Sequence, residues 1–405
     1  MDKKNIKELT LNIVEKNNGI LRIKPTYVAR DFLGSGKRLG LKEEEYNVGE
    51  RGEITERWLA STVKAENRIG PADEGLSYVF INDDPEDNSL LLLDALKSSK
   101  ELLMGEEYSK KYSTFGRLAK VFNFEKRLFY HLHQMQKDAE LVGCNGKEEA
   151  YYFPEDVDLG ADPVSFYGVH PYISDQKKYD LLLPYLIDWN SDLILKHSRG
   201  YLQVRGEGLH LPAGIPHAPG TACAIELQEE SDVFANLQAL LNGKILSKDT
   251  LFKNIRKEDR ERIGESIILG QIDWEKSGDP YFYENRRTVP ILIDENSQAG
   301  CEEYWIFYNT KRFSGKKLIV KPDHTCKSRE NGAYNILVWK GEGTFDGNKI
   351  KANEFCYDEI IVTYQKAVTD IEIKNTGKSS ELVLFKFFGP AVNQDVPFLK
   401  PYITG

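Results

Sequence analysis

Two histidines separated by one residue, His131 and His133, are the side chains of this sequence best suited to chemistry. They lie in a short apolar and aromatic run that predicts a β-strand, and alternate residues of a strand point to the same face. Both imidazoles can therefore reach one point. Glu149 and His217 follow in turn-rich stretches further along the chain. Three imidazoles and a carboxylate form a ligand set that suits a divalent metal of borderline softness.

The histidine pair also has an ordinary interpretation. The chain contains seven histidines, so two of them at this spacing arise by chance in some chains and then serve as hydrogen-bonded or exposed strand residues. His210 precedes His217 on a predicted strand, and it could point into the same interior or cover its rim. The elements that surround these residues decide between the interpretations.

The composition is that of an ordinary globular protein. The chain has 405 residues, a length that predicts two domains, and its formal charge of -9 is spread along the sequence. No basic stripe is present, which argues against a nucleic-acid partner. No stretch is apolar enough to span a bilayer, and charges interrupt the amino terminus before a signal peptide could form. We therefore predict a cytoplasmic protein with no membrane partner.

The fold class indicated by the sequence is mainly β. Short runs rich in Val, Ile, Tyr and Phe recur between Gly, Asn and Asp turns, a pattern that favours strands. Residues 1–230 are predicted to form the metal-binding domain, which begins with strands and carries an inserted helical segment around residues 85–115, where leucines recur at helical spacing.

The remainder of the chain is predicted to contain a helical segment and a second β domain. Residues 231–290 are predicted to be helical because Val233, Leu237 and Leu241 share one face of a helix. Residues 291–405 contain evenly spaced strand-like runs, which are typical of a sandwich or jelly roll. That second domain holds one histidine and nothing that matches the first ligand set, so we predict that it lacks a metal.

Several longer motifs carry a family resemblance because they occur in a fixed order. They are Glu56-Arg-Trp-Leu-Ala-Ser61, Gly146-Lys-Glu-Glu149, Phe166-Tyr-Gly-Val-His-Pro171, Leu211-Pro-Ala-Gly-Ile-Pro-His-Ala218 and Glu226-Leu-Gln-Glu-Glu-Ser-Asp232. In this order they resemble the signatures of class I mannose-6-phosphate isomerases, which are zinc-dependent cupins. The resemblance implies two cupin-like jelly-roll β-barrels with an associated helical segment.

The resemblance also implies roles for individual residues. It assigns His131, His133, Glu149 and His217 as metal ligands, with His131 at the place of a family glutamine, and zinc or another divalent metal as the cofactor. It places Lys147 in catalysis, through proton transfer or substrate contact. On the sequence alone, Lys147 is equally well explained as a solvated turn lysine flanked by charges.

The activity implied by the resemblance is that of a metal-dependent sugar isomerase, an intramolecular oxidoreductase that interconverts mannose 6-phosphate and fructose 6-phosphate through a cis-enediol. Its partner would be a small sugar or sugar phosphate, and the oligomeric state is not predicted. Phe129 falls where the family has a phosphate-binding serine, and Asn236 falls where it has an arginine that stabilises the enediolate. The alternatives are an isomerase or epimerase of an unphosphorylated sugar, or a non-catalytic metal-containing cupin that binds a sugar.

Overall fold

The chain is divided into two units, and each unit combines segments that are distant in the sequence. The computed structural model describes residues 3–82 and 88–402. Unit 1 contains residues 3–28, 56–82, 88–121 and 289–398, and unit 2 contains residues 29–55, 122–288 and 399–402. The predicted ligands and Lys147 all lie in unit 2. The predicted domain boundaries at residues 230 and 290 stay a prediction.

Strands make up the larger part of the regular structure, which confirms the prediction of a mainly β protein. In chain order they are β1 (Ile20–Lys24), β2 (Thr26–Arg30), β3 (Glu53–Leu59), β4 (Tyr78–Phe80), β5 (Ser89–Leu91), β6 (Arg117–Phe122), β7 (His131–Leu132), β8 (Glu149–Tyr152), β9 (Val164–Tyr167), β10 (Arg199–Leu202), β11 (Gly208–Leu211), β12 (His217–Ala218), β13 (Ala224–Glu229), β14 (Ala235–Asn236), β15 (Leu240–Leu241), β16 (Lys244–Ile245), β17 (Arg287–Thr288), β18 (Ile291–Leu292), β19 (Cys301–Phe307), β20 (Ser314–Val320), β21 (Thr325–Ser328), β22 (Tyr334–Lys340), β23 (Glu342–Phe345), β24 (Asn348–Lys351), β25 (Glu359–Val362), β26 (Ile371–Asn375) and β27 (Leu382–Phe388).

The α-helices are short, with two longer ones near the amino terminus. They are α1 (Lys3–Lys16), α2 (Leu92–Met104), α3 (Glu106–Lys111), α4 (Gln136–Ala139), α5 (Pro171–Asp175), α6 (Leu183–Asp188), α7 (Lys257–Ile263), α8 (Ser266–Gly270), α9 (Trp274–Ser277) and α10 (Tyr364–Ala367). Within residues 3–82 and 88–402, no helix is both long enough and apolar enough to cross a membrane. The predicted helical insertion around 85–115 corresponds to α2 and α3, and its residues 85–87 lie outside the described residues.

Unit 1 is built on two antiparallel sheets. The larger has the strand order β18-β19-β20-β27-β22-β25-β1-β4-β5, and the smaller has the order β21-β26-β23-β24. Apolar side chains from both sheets form one core cluster, to which Val320, Ile336, Ile373 and Phe388 contribute. Burial of this apolar area is the main force that holds such sheets together. The two cupin-like jelly-roll barrels expected from the sequence stay a prediction.

Unit 2 contains the strands that carry the predicted ligands. One sheet has the order β10-β9-β12-β7-β14, and β17, β11, β8 and β13 are successive neighbours in another. In the first sheet His217 on β12 is the direct pairing partner of His131 on β7. In the second, Glu149 at the start of β8 pairs with Leu211 on β11 and with Gln228 on β13. Strand pairing thus brings together residues that are far apart in the sequence.

The prediction that the segment from residue 231 is helical is wrong for its first part. Residues 235–245 include strands β14, β15 and β16, a 3₁₀-helix follows at Lys248–Phe252, and the α-helices of the segment begin only at Lys257. The leucine spacing fits a helix, but Asn242 and Gly243 both have positive φ angles, 51° and 79°, and they turn β15 back onto β16. An Asn-Gly pair is the preferred sequence of a two-residue hairpin turn, because both residues tolerate this conformation.

Candidate metal centre

The three predicted histidine ligands converge in the interior of unit 2. Each of His131, His133 and His217 offers a ring nitrogen, and these three atoms lie within 4.8 Å of one another. The side chains are 4%, 5% and 1% exposed. The ring centroids of His131 and His133 are 4.9 Å apart, so the two residues share a face as the alternation of a strand predicted. The two histidines are therefore not exposed strand residues, and their role as metal ligands stays a prediction.

Main-chain carbonyls fix the orientation of all three imidazoles. Nδ1 of His131 lies 2.8 Å from the carbonyl oxygen of Phe129, and Nδ1 of His133 lies 2.7 Å from that of Val233. Nδ1 of His217 lies 2.9 Å from the carbonyl oxygen of Ile215. A carbonyl can only accept, so each Nδ1 must carry the proton and donate it. In a neutral ring, Nε2 is then a bare lone pair. This is the arrangement that presents Nε2 of a histidine to a metal.

The carboxylate of Glu149 lies between these ring nitrogens. Oε1 is 2.9 Å from Nε2 of His217, and Oε2 is 3.0 Å from Nε2 of His133. Burial, together with the neighbouring histidines, lowers the pKa of His131 well below its ordinary value; burial and the Lys147 ammonium lower that of His133 to about 4. The rings of His131 and His133 are therefore neutral, and their Nε2 atoms are acceptors, as are the carboxylate oxygens of Glu149. Acceptor atoms grouped in this way favour a bound cation.

One buried ring nitrogen of the site lacks a hydrogen bond. Among the described residues, no hydrogen bond of good geometry engages Nε2 of His217. Buried polar atoms without a partner are rare in proteins, and a metal ion is one of their recognised explanations. Three imidazole nitrogens and a carboxylate also match the donor set that zinc accepts. The residues present fit a divalent metal.

Lys147 lies inside the site, so its interpretation as a solvated turn lysine is wrong. It is 4% exposed, and its Nζ is 2.8 Å from Nε2 of His133 and 2.9 Å from Oε2 of Glu149. Burial opposes the ionisation of Glu149, but the Lys147 ammonium holds its pKa well below the ordinary range. The ammonium thus contacts two of the four predicted ligands, and a metal that used all four would compete with it for them.

Two further polar side chains adjoin the site and were not predicted from the sequence. Oε1 of Glu226 on β13 lies 3.5 Å from Nζ of Lys147. The hydroxyl of Tyr151 donates a hydrogen bond to Oε1 of Glu149, and Glu226 pairs directly with Tyr151 across the two strands. Tyr151 could have been found, because it follows Glu149 by two residues on one strand and so shares its face.

Aromatic side chains surround the edge of His131. Phe129 is 4% exposed, and its ring centroid lies 5.3 Å from that of His131, 5.7 Å from that of Phe234 and 5.1 Å from that of Phe32. Phe234 and Phe32 are half-buried, and Phe234 lies 6.3 Å from His131. We call Phe32, Phe129 and Phe234 the aromatic wall of the site.

Asn236 is fully buried and is occupied by local hydrogen bonds. It pairs with His131 across β14 and β7. Its Nδ2 donates to the hydroxyl of Thr250 at 3.1 Å, and its Oδ1 accepts from the amide of Gln238 at 2.9 Å. The amide therefore stabilises its own loop, and it supplies no charge in place of the family arginine.

His210 lies apart from the three clustered histidines. It is 5% exposed on β11, and its Nε2 lies 2.9 Å from Oε1 of Glu148. Glu148 precedes Glu149, but alternation along the chain directs the two side chains differently. His210 is consequently a buried histidine of the same unit that lies outside the group of His131, His133 and His217.

The fold of the chain is shared with solved isomerases. No family model matches the sequence, and no curated protein matches it. A mannose 6-phosphate isomerase from Bacillus subtilis superposes with a TM-score of 0.60 at 15% identity, over 91% of this chain and 99% of that chain. A variant of phosphomannose isomerase from Salmonella typhimurium superposes with a TM-score of 0.58 at 13% identity, over 92% of this chain and 100% of that chain. A mannose 6-phosphate isomerase bound with zinc and yttrium superposes with a TM-score of 0.58 at 12% identity, also over 92% of this chain and 100% of that chain.

Proposed function

We propose that the protein is a metal-dependent aldose–ketose isomerase, a divergent member of the class I mannose-6-phosphate isomerases, and that mannose 6-phosphate and fructose 6-phosphate are its substrate pair. The observation that carries the proposal is the convergence of the ring nitrogens of His131, His133 and His217, two of which lie 2.9 Å and 3.0 Å from the carboxylate of Glu149, with Lys147 in contact with the same carboxylate. The similarity of the fold to isomerases of known structure supports it.

The cofactor would be held by His131, His133, Glu149 and His217. Zinc, or another divalent metal accepted by imidazole and carboxylate ligands, would act as a Lewis acid that polarises the sugar oxygens and supports the negative charge of the enediolate. The choice among metals depends on availability as well as on these donors.

The chain itself supplies the group that moves the proton. Isomerisation removes a proton from the carbon next to the carbonyl and returns one to the adjacent carbon, while the two oxygens exchange roles. Lys147 is the proposed residue, since an amine in this position can accept a proton at Nζ and give it back. Its Nζ lies 2.9 Å from Oε2 of Glu149 and 3.5 Å from Oε1 of Glu226.

The aromatic wall favours a second candidate function. Phe129 carries no hydroxyl that could hold a phosphate, and Asn236 carries no charge. An aromatic surface that ends beside His131 instead suits the apolar face of a sugar ring. The second candidate is therefore an isomerase or epimerase of an unphosphorylated sugar that uses the same ligands and Lys147.

The proposal is tested by metal analysis of the purified protein and by a nuclear magnetic resonance time course with mannose 6-phosphate, mannose and a panel of other aldoses. We expect one divalent metal per chain and conversion of mannose 6-phosphate. Conversion of free sugars alone would support the second candidate. A bound metal without any conversion would indicate a non-catalytic sugar-binding cupin, and absence of metal after chelator-free purification would refute the ligand assignment.

A further inference from the structure

A second cluster of buried charged residues lies in unit 1, and the proposed reaction does not use it. Nζ of Lys386, which is fully buried, is 2.5 Å from Oε1 of Glu303 and 2.8 Å from Oε1 of Glu330. Nζ of Lys316 lies 2.7 Å from Oε2 of Glu330 and 3.9 Å from Oε2 of Glu303. Two ammonium groups and two carboxylates thus form a closed, neutral tetrad inside the unit.

Stability alone does not account for such a tetrad. Removing charges from water costs several kcal/mol per ion, and replacing a buried ion pair with apolar residues of similar size is often neutral or stabilising. The hydroxyl of Tyr334 adds to this cost, because it is buried and has no hydrogen-bond partner among the described residues. Networks of this kind are found where polar groups must be held in position for a ligand.

A cavity of about 140 Å³ lies directly beside the tetrad. Glu303, Asn296 and Ser328 line it, and each is connected to the network. The Asn296 amide donates to Oε2 of Glu303, and the Ser328 hydroxyl accepts from Nζ of Lys386 at 2.6 Å. These two bonds leave the hydroxyl proton of Ser328 and Oδ1 of Asn296 to bond with other groups. These groups are therefore oriented before any ligand binds.

The charged residues that line the cavity differ in whether a neighbouring charge neutralises them. Lys327 and Asp370 lie 3.7 Å apart and largely neutralise each other, and Glu303 is neutralised by the buried lysines. Glu295 and Arg329 are exposed lining residues. Arg329 presents a planar fork of donors that matches a phosphate or carboxylate.

We propose that this cavity is a second ligand site, separate from the metal centre, that binds a small polyhydroxylated anion such as a sugar phosphate. Asn296, Ser328 and Glu303 would hydrogen-bond its hydroxyl groups, and Arg329 would bind its anionic group. The inference goes beyond the proposed isomerase reaction and does not depend on it, because every residue involved lies in unit 1 and no metal takes part.

Trp305 makes the proposal testable by a signal from this location. Its ring centroid lies 4.8 Å from Nζ of Lys316, a member of the tetrad. The chain has five tryptophans, so full-length protein labelled with 5-fluorotryptophan gives a short ¹⁹F spectrum in which Trp305→Phe and Trp339→Phe assign the signals of those two residues. Mannose 6-phosphate, mannose and inorganic phosphate would be titrated into the wild type, into Arg329→Ala, and into the matched control Arg312→Ala, an exposed arginine of unit 1 that does not line the cavity.

We expect mannose 6-phosphate to shift the Trp305 signal in a saturable way and to bind more tightly than mannose or phosphate alone. Arg329→Ala should weaken that binding at least about tenfold, the loss typical of one charge-assisted contact, and Arg312→Ala should leave it unchanged. A Trp305 signal that none of the probes moves would overturn the proposal. So would a shift of equal affinity in both arginine variants, or equal affinity for mannose and mannose 6-phosphate.

Discussion

Oε1 of Glu149 lies 2.9 Å from Nε2 of His217 in the interior of unit 2. Nδ1 of His217 donates to the carbonyl of Ile215, so in the neutral ring the facing Nε2 is a lone pair. A carboxylate oxygen and an imidazole lone pair repel each other unless a cation, either a metal ion or a proton on Nε2, interacts with both. A metal ion at this point would satisfy both buried atoms.

Removal of this histidine is expected to abolish metal binding. His217→Ala deletes one of four proposed ligands and should reduce the metal content from about one per chain to nearly none, with loss of any isomerase activity. His210→Ala is the matched control, since His210 is also a buried histidine of unit 2 but contacts Glu148 instead. Elemental analysis of both variants checks this, and equal metal content in the two would contradict the assignment of His217.

Lys147→Met is expected to separate metal binding from turnover. The variant loses the group that moves the proton, so kcat should fall about 10²–10⁴-fold. The ammonium no longer competes for His133 and Glu149, so the affinity for the metal should be kept or increased. Metal titration and the sugar time course measure the two effects. A variant that keeps its full rate would exclude Lys147 from the chemistry.

Phe129→Ser is expected to change the preference between substrates. It removes part of the aromatic wall and introduces a hydroxyl, so the ratio of kcat/KM for mannose 6-phosphate over mannose should rise at least about tenfold. Phe129→Leu, which has no hydroxyl, should leave the ratio nearly unchanged. The loss of a buried ring costs about 3–5 kcal/mol, so the rates must be compared well below the melting temperature of each variant. An unaltered ratio would mean that Phe129 does not contact the substrate.

A buried ion pair in unit 1 is expected to matter for folding. Arg57 donates to Oδ2 of Asp358 at 2.6 Å and to Oε2 of Glu359 at 3.0 Å, and all three side chains are buried. Arg57→Met leaves two uncompensated carboxylates and should lower the free energy of unfolding by about 3–5 kcal/mol. Lys351→Met, which removes an exposed pair of the same unit, should cost less than about 1 kcal/mol. Urea denaturation of both variants distinguishes these values.

Glu359 is expected to make stability depend on pH. Burial, with a further contribution from Asp358, raises its pKa from 4.5 to about 7, although Arg57 opposes the shift. The folded state then holds this proton more strongly than the unfolded state, so the contribution to stability is present below pH 4.5 and is lost as the pH rises toward 7. Wild type should therefore lose stability relative to Glu359→Gln across this window in urea denaturation. A constant difference between the two would show that the pKa is not raised.

The clustering of the three histidines could be predicted from the sequence, but the surroundings of the cluster could not. His131 and His133 were predictable because strand alternation is a local rule. That Lys147 is buried could not be predicted, since its burial depends on the position of His133 and on Glu226 of a distant strand. The hairpin at Asn242 and Gly243 was missed because leucine spacing was given more weight than turn chemistry, although the local signal was present.

The carbonyls that orient the three histidines belong to the main chain, and two of them, those of Phe129 and Ile215, lie two residues before the histidine that they bind. Every residue type has such a carbonyl, so a substitution at either position leaves the acceptor in place. The orientation of these rings thus depends on the path of the backbone and not on any particular neighbouring side chain. A chain of this fold can therefore accept substitutions at both positions without rebuilding the support for the three imidazoles.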